Sequence, residues 1–99
     1  MLIDDTLRDN VDPVFEVNTN FPTGKCAVLL SQKDRCLVPV FGAAQHLSDE
    51  FVQSKFELFG GATLFFSEVY YFYAKPDLVH KVYEHCSSKG VKTCLTLSA

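Results

Sequence analysis

Two apolar, β-rich runs, "CAVLL" (26–30) and "CLVPV" (36–40), flank the polar stretch "SQKDR". That pattern predicts a β-hairpin. A loop over 31–34 pairs Leu30 with Arg35 and Cys26 with Pro39. Cys26, Val28, Leu37 and Pro39 then share one face. A loop one residue longer sets Cys26 opposite Val40 instead and exchanges the faces. Pro39 has no N–H, so its strand is expected at an edge or a local break. Upstream, 1–10 reads as the last turns of a helix with Leu2, Ile3 and Leu7 on one side, stopped by Asp12-Pro13. "VFEV" (14–17) reads as a short strand, and "NTNFPTG" (18–24) is turn chemistry.

The pattern changes period after residue 47. "LSDEFVQSKFELFGG" (47–61) spaces Phe51, Lys55, Leu58 and Phe59 as a helix does. Ser48 or Asp49 can cap its start, and Gly60-Gly61 can end it. "ATLFFSEVYYFYA" (62–74) is aromatic and β-branched, which favours a buried strand. Pro76 sits where a first helical turn begins. "PDLVHKVYEHCSSKG" (76–90) puts Leu78, Val79, Val82, Tyr83 and Cys86 on one side, with Gly90 as its stop. "VKTCLTLSA" (91–99) closes the chain as a strand. Strand, helix and strand with short links make a β-α-β unit with parallel strands.

Composition narrows the function. The 99 residues suffice for one compact domain, and 47% hydrophobic against 21% charged residues excludes a disordered chain. Nine Phe and four Tyr are a heavy aromatic load for this length, so some rings are expected to face other protein surface. Nine basic and twelve acidic residues give a net charge of −3. The basic residues are scattered, which argues against nucleic acid as a partner. The acidic start "MLIDDTLRDNVD" is unlike a signal peptide. The longest apolar stretch, 62–74, falls short of the roughly 20 residues that cross a bilayer. A soluble, intracellular protein without a membrane partner is expected. Cys26, Cys36, Cys86 and Cys94 form no C-x-x-C pair and are expected as reduced, mostly buried thiols.

Gly24-Lys25 invites a phosphate-loop reading, but Thr19 stands where that motif needs Gly, and Cys26 where it needs a hydroxyl. His80 and His85 are one residue too far apart for an H-x-x-E-H zinc motif and read as exposed helix histidines. Gly60-Gly61 reads as a helix end rather than a ligand-binding pair. Ser87-Ser88 has no base at a readable spacing, and His46 reads as a loop residue without a role.

The order of the motifs carries more than any one of them. "PTGKCAVLL…DRCLVPVFGAAQHL" resembles the adenosine kinase segment built on P-T-G-T-C-A, R-S-L and A-A-A-N. "ATLFFSEVYYFYAKPDLVHKVYEHC" is similar to that family's strand, S-P-E turn and helix. "TCLTLSA" resembles its T-L-N-L-S-A strand. The match runs from about Val11 to Ala99. It implies an α/β fold: a fragment of a ribokinase-like doubly wound domain, with its β-α-β unit, plus a β-hairpin lid segment. The lid strands would occupy about 14–41, and the large-domain part about 48–99.

The resemblance also implies a function. The family moves the γ-phosphoryl group of ATP to the 5′-hydroxyl of adenosine with Mg2+, making AMP in purine salvage. Carried over by position, the adenosine pocket takes Cys26, Leu37, Pro39 and Phe41 from the lid and Tyr70 from the strand. A purine wants apolar walls and an aromatic stack, which these residues offer. The same residues could equally be plain core. Arg35 would face phosphate, where positive charge favours phosphoryl transfer, or else be a solvated hairpin arginine. The sequence departs from the family at Pro39, Phe41, Glu68-Val69 and Thr96. The substrate motif G-G-x-x-x-N would lie before Met1, and the G-A-G-D anion hole with its catalytic Asp beyond Ala99. No catalytic residue and no metal ligand is therefore expected within these residues, and the partial chain is expected to be inactive alone. The intact enzyme is expected to be monomeric and cytoplasmic, with the nucleus as a second compartment. A degenerate, non-catalytic copy that binds a partner is the alternative, as is a related sugar or nucleoside kinase.

Overall fold

In the computed structural model, which describes residues 2–97, the chain divides into two units, one up to His46 and one from Leu47 onward. The first begins with helix α1 (Leu2–Arg8), which buries none of its side chains. It ends before Asp12-Pro13, at a turn through Asn10 with φ +58°. Val14, Phe15 and Val17 follow without forming a strand and are exposed. The expected strand at 14–17 is absent: among the described residues no second strand pairs with it.

Strands β1 (Lys25–Ser31) and β2 (Asp34–Val40) form the hairpin, antiparallel, with Cys26 opposite Pro39 and Leu30 opposite Arg35. Of the two registers the sequence allows, this is the one with Cys26 opposite Pro39, but the ladder extends to Ser31 and Asp34. The turn therefore has two residues, not four. Gln32, its first, takes φ +53°, as a tight hairpin turn demands. With only two strands in the sheet, both are edges, so Pro39's missing N–H breaks no central ladder. A 310 helix (Gly42–His46) follows.

The second unit opens with α2 (Asp49–Gln53) and α3 (Phe56–Gly60) in place of the single expected helix. Ser48 caps the first, its Oγ accepting from the Phe51 N–H at 3.1 Å. The break falls at Ser54, whose hydroxyl donates to the Phe51 carbonyl at 2.6 Å. Such local bonds compete with helix continuation. Gly60-Gly61 ends α3, although neither glycine turns left-handed.

Strand β3 (Leu64–Glu68) is shorter than the aromatic run predicts. Its remainder is helix α4 (Val69–Ala74), followed by α5 (Pro76–Ser88) and strand β4 (Lys92–Thr96). The parallel ladder runs from Leu64–Lys92 to Glu68–Thr96 and stops there. Among the described residues no strand pairs with the run beyond Glu68, and its backbone finds hydrogen bonds within a helix instead. The expected β-α-β unit is therefore present, with α4 added. Pro76 starts α5, and Gly90, at φ +73°, turns the chain into β4. The last two residues of the expected closing strand, Ser98 and Ala99, lie outside the described residues.

The buried stripe of α5 supplies most of the core. Val82 and Cys86 pack with Val91, and Val52, Phe56, Phe59 and Phe65 close around them. Phe59 meets Phe65 edge-on at 5.3 Å, and Phe65 meets Tyr83 at 5.4 Å. These edge-to-face contacts suit the ring quadrupoles. Leu64 and Phe66 project from the opposite face of β3 and stay 55% and 58% exposed.

Candidate functional site

Cross-strand pairing and alternation settle which hairpin residues share a face. Cys26 lies opposite Pro39, Val28 opposite Leu37 and Leu30 opposite Arg35. Directly opposed residues project to the same side. Phe41 follows the last strand residue, Val40, and lies outside the paired ladder. Four of the five expected first-unit residues, Cys26, Leu37, Pro39 and Arg35, are thus brought onto one face. Lys25, opposite Val40, belongs to the other.

This face is an apolar floor with a cation at one end. Arg35 and Pro39 are four residues apart, roughly 13 Å along an extended strand. Leu37 is 52% and Phe41 37% exposed, so the floor is open rather than buried in its own unit. The other face is apolar too, through Leu29, Val38 and Val40. At the open end, Gly24 approaches Phe41 closely. A Cβ on Gly24 would stand 2.6 Å from the Phe41 carbonyl oxygen. The Gly24-Lys25 pair is thus a strand entrance set by backbone contact.

Tyr70 lies in the second unit, in helix α4 and not in a strand. Its ring meets Tyr71 edge-on at 5.6 Å. The second unit also holds a cavity of about 370 Å³, which the sequence pattern did not reveal. Phe59, Phe65, Phe66 and Tyr71 line it with Val79 and Val82. It runs beside β3, which among the described residues pairs with β4 alone. Lys75, also on the lining, is ion-paired with Asp49. Reading 62–74 as one strand concealed both the cavity and the helical setting of Tyr70.

Other expected roles shift as well. All four thiols are free, but only Cys86 is buried; Cys26, Cys36 and Cys94 are exposed. Most sit on a sheet with an uncovered face. Burial pushes the Cys86 thiol pKa up. Burial also raises the Tyr83 phenol, with Cys94 adding to the rise and a hydrogen bond from Ser67 opposing it. The phenol donates to the Cys94 carbonyl at 3.2 Å. His80 is exposed, as expected, beside Glu84. His85 is not: it is half-buried, 5.0 Å from the Phe56 ring, and its buried Nε2 has no hydrogen-bond partner. It flanks the buried stripe, three residues beyond Val82. His46 stacks on Phe21, a contact between residues too far apart in the chain for spacing to reveal.

Among the described residues, no three His, Cys, Asp or Glu side chains gather to hold a metal ion. No helix there is long and apolar enough to cross a membrane.

No protein-family model matches the chain. The adenosine kinase of Saccharomyces cerevisiae is 26% identical to it over 98 residues, covering 99% of this chain and 29% of that protein. The apo structure of Trypanosoma brucei brucei adenosine kinase shares its fold, with a TM-score of 0.83 at 23% identity. That match covers 99% of this chain and 30% of the other. The chain thus spans about three tenths of the length of the relatives it matches. Over nearly its whole length, the chain is similar in sequence and in ribokinase-like α/β fold to one segment of the adenosine kinases.

Proposed function

We propose that the chain supplies the lid hairpin and part of the large α/β domain of an adenosine kinase, which transfers a phosphoryl group from ATP to the 5′-hydroxyl of adenosine. The observation that carries this reading is the hairpin register, which gathers Cys26, Leu37, Pro39 and Arg35 on one face, with Phe41 just beyond the last pair. Leu37, Pro39 and Phe41 would wall the purine, and desolvation would favour its flat apolar ring there. Tyr70, from the second unit, is the proposed aromatic neighbour of the nucleoside.

Arg35 has the chemistry for phosphate: a permanently charged, planar, multiply donating group. It would bind the polyphosphate of ATP and offset charge as the phosphoryl group moves. The intact enzyme would use Mg2+ with ATP, and this reading assigns no metal ligand to the chain. By the same reading the chain alone is inactive, the intact enzyme is a cytoplasmic monomer, and the nucleus is a second location.

The test is an ATP-dependent assay of the complete gene product against adenosine, inosine, ribose and fructose. AMP formation from adenosine supports the proposal. Preference for a sugar or another nucleoside overturns the substrate, and no transfer to any of them overturns the kinase reading. AMP made by the purified 99-residue chain would contradict its proposed inactivity.

A second reading has its own support. Among the described residues five hydrophobic side chains are buried, while far more large ones, from Leu2 to Leu97, are exposed. That surplus suits a non-catalytic copy that associates with other protein. Size-exclusion chromatography separates the two: a clean monomer weakens this reading, and a specific complex supports it.

A further inference from the structure

A two-stranded hairpin is marginal in water by itself. This one leaves both faces uncovered, with Leu30 79% and Val40 64% exposed. Its order must come from its ends. The turn contributes little, since Gln32 sits at an unfavourable positive φ. The open end is different, because the segments entering and leaving the hairpin are joined there at four points.

Gly24 closes against the Phe41 carbonyl. The Ala43 N–H donates to the Pro22 carbonyl at 2.8 Å. Gly42, at φ +53°, lies so near that carbonyl that a Cβ would stand 2.2 Å from its oxygen. Outermost, the rings of Phe21 and His46 stack with centroids 3.7 Å apart and planes 13° from parallel. The 310 helix makes this possible by carrying the chain from Phe41 back to the level of Phe21.

We propose that Phe21 and His46 form a clasp that holds the base of the hairpin, making both positioning residues for the face that carries Cys26, Leu37 and Pro39. The clasp rests on contacts within the first unit; only its use in positioning a nucleoside rests on the kinase reading. Both residues lie outside the paired strands, at the base of the hairpin, so the role assigned to them is positioning. A flat ring is what position 46 requires, and another aromatic residue would serve.

The test is residue-resolved amide hydrogen exchange on the whole chain for the wild type, His46→Ala and His46→Phe. A stacked pair of this kind corresponds to roughly a two- to tenfold change in an opening equilibrium. His46→Ala should speed exchange of the β1 and β2 amides by that factor and leave the α5 amides around Val82 and Cys86 unchanged. His46→Phe should restore protection. Unchanged hairpin exchange in His46→Ala overturns the clasp, as does equal acceleration in α5 or no rescue by Phe. Wild-type hairpin amides exchanging at the free-chain rate overturn it too. A complete gene product without kinase activity would defeat the function and leave the exchange result standing.

Discussion

Cys26 lies directly across the hairpin from Pro39, while Cys36 lies across from Leu29. The two exposed thiols therefore project to opposite faces of one sheet. The same register separates the two basic residues that the sequence sets up as rivals for phosphate. Arg35 shares the Cys26 face, and Lys25 is on the other.

Arg35→Ala in the complete gene product should lower turnover by about two orders of magnitude, the usual effect of losing one transition-state charge partner. Lys25→Ala should leave turnover within about twofold, as for most exposed surface changes. Steady-state kinetics with adenosine and ATP checks both. A large loss at Lys25 with none at Arg35 would reverse the assignment of faces.

Two glycines with positive φ should respond differently to a methyl group. Gly90 has nothing within 4 Å of its would-be Cβ, so Gly90→Ala should cost only the left-handed backbone penalty, about 1 kcal/mol. Gly42 would add a collision with the Pro22 carbonyl to the same penalty, and Gly42→Ala should cost at least about 2 kcal/mol. Urea titrations followed by amide signals of the hairpin and of α5 report each locally. Equal costs would mean that the Pro22 contact gives way easily.

Alkaline pH should destabilise the second unit. The pKa values of Cys86 and Tyr83 are both raised, foremost by burial. The folded state therefore holds these protons more tightly than the unfolded chain does. Their contribution is complete below the unfolded values, roughly pH 8.5 for a thiol and 10 for a phenol. It is lost as pH rises through the folded values. Thermal melts between pH 7 and 11 should show Tm falling above about pH 8.5. Cys86→Ala should flatten the first part of that descent and Tyr83→Phe the second. A Tm that stays level or rises would contradict the assignment.

What the sequence disclosed follows from how local each signal is. The hairpin itself was readable from two apolar runs and their polar link, fifteen residues in all, which allow two registers; the observed one sets Cys26 opposite Pro39. Pro76 and Gly90 bounded α5 because each acts through its own backbone. The strand expected at Val14 failed because a strand needs a partner, which no single segment reveals. The aromatic run after Glu68 became helix where its parallel partner ended, a limit set by β4 far along the chain. The Ser54 break turned on one hydroxyl taking a backbone carbonyl. At the candidate site, alternation together with the shorter-loop register placed Cys26, Leu37 and Pro39 on one face. The helical setting of Tyr70 and the stack of His46 on Phe21 depend on tertiary contacts and left no periodic trace.

The most direct test of the nucleoside-facing hairpin uses its two thiols as reporters. Alkylation rates at Cys26 and Cys36 in the complete gene product can be measured by mass spectrometry with and without adenosine. At ten times the dissociation constant, adenosine should slow Cys26 by about tenfold. Cys36, on the opposite face, should react at its unliganded rate. Equal protection of both thiols, or protection of Cys36 alone, would contradict the assignment of this face to the nucleoside.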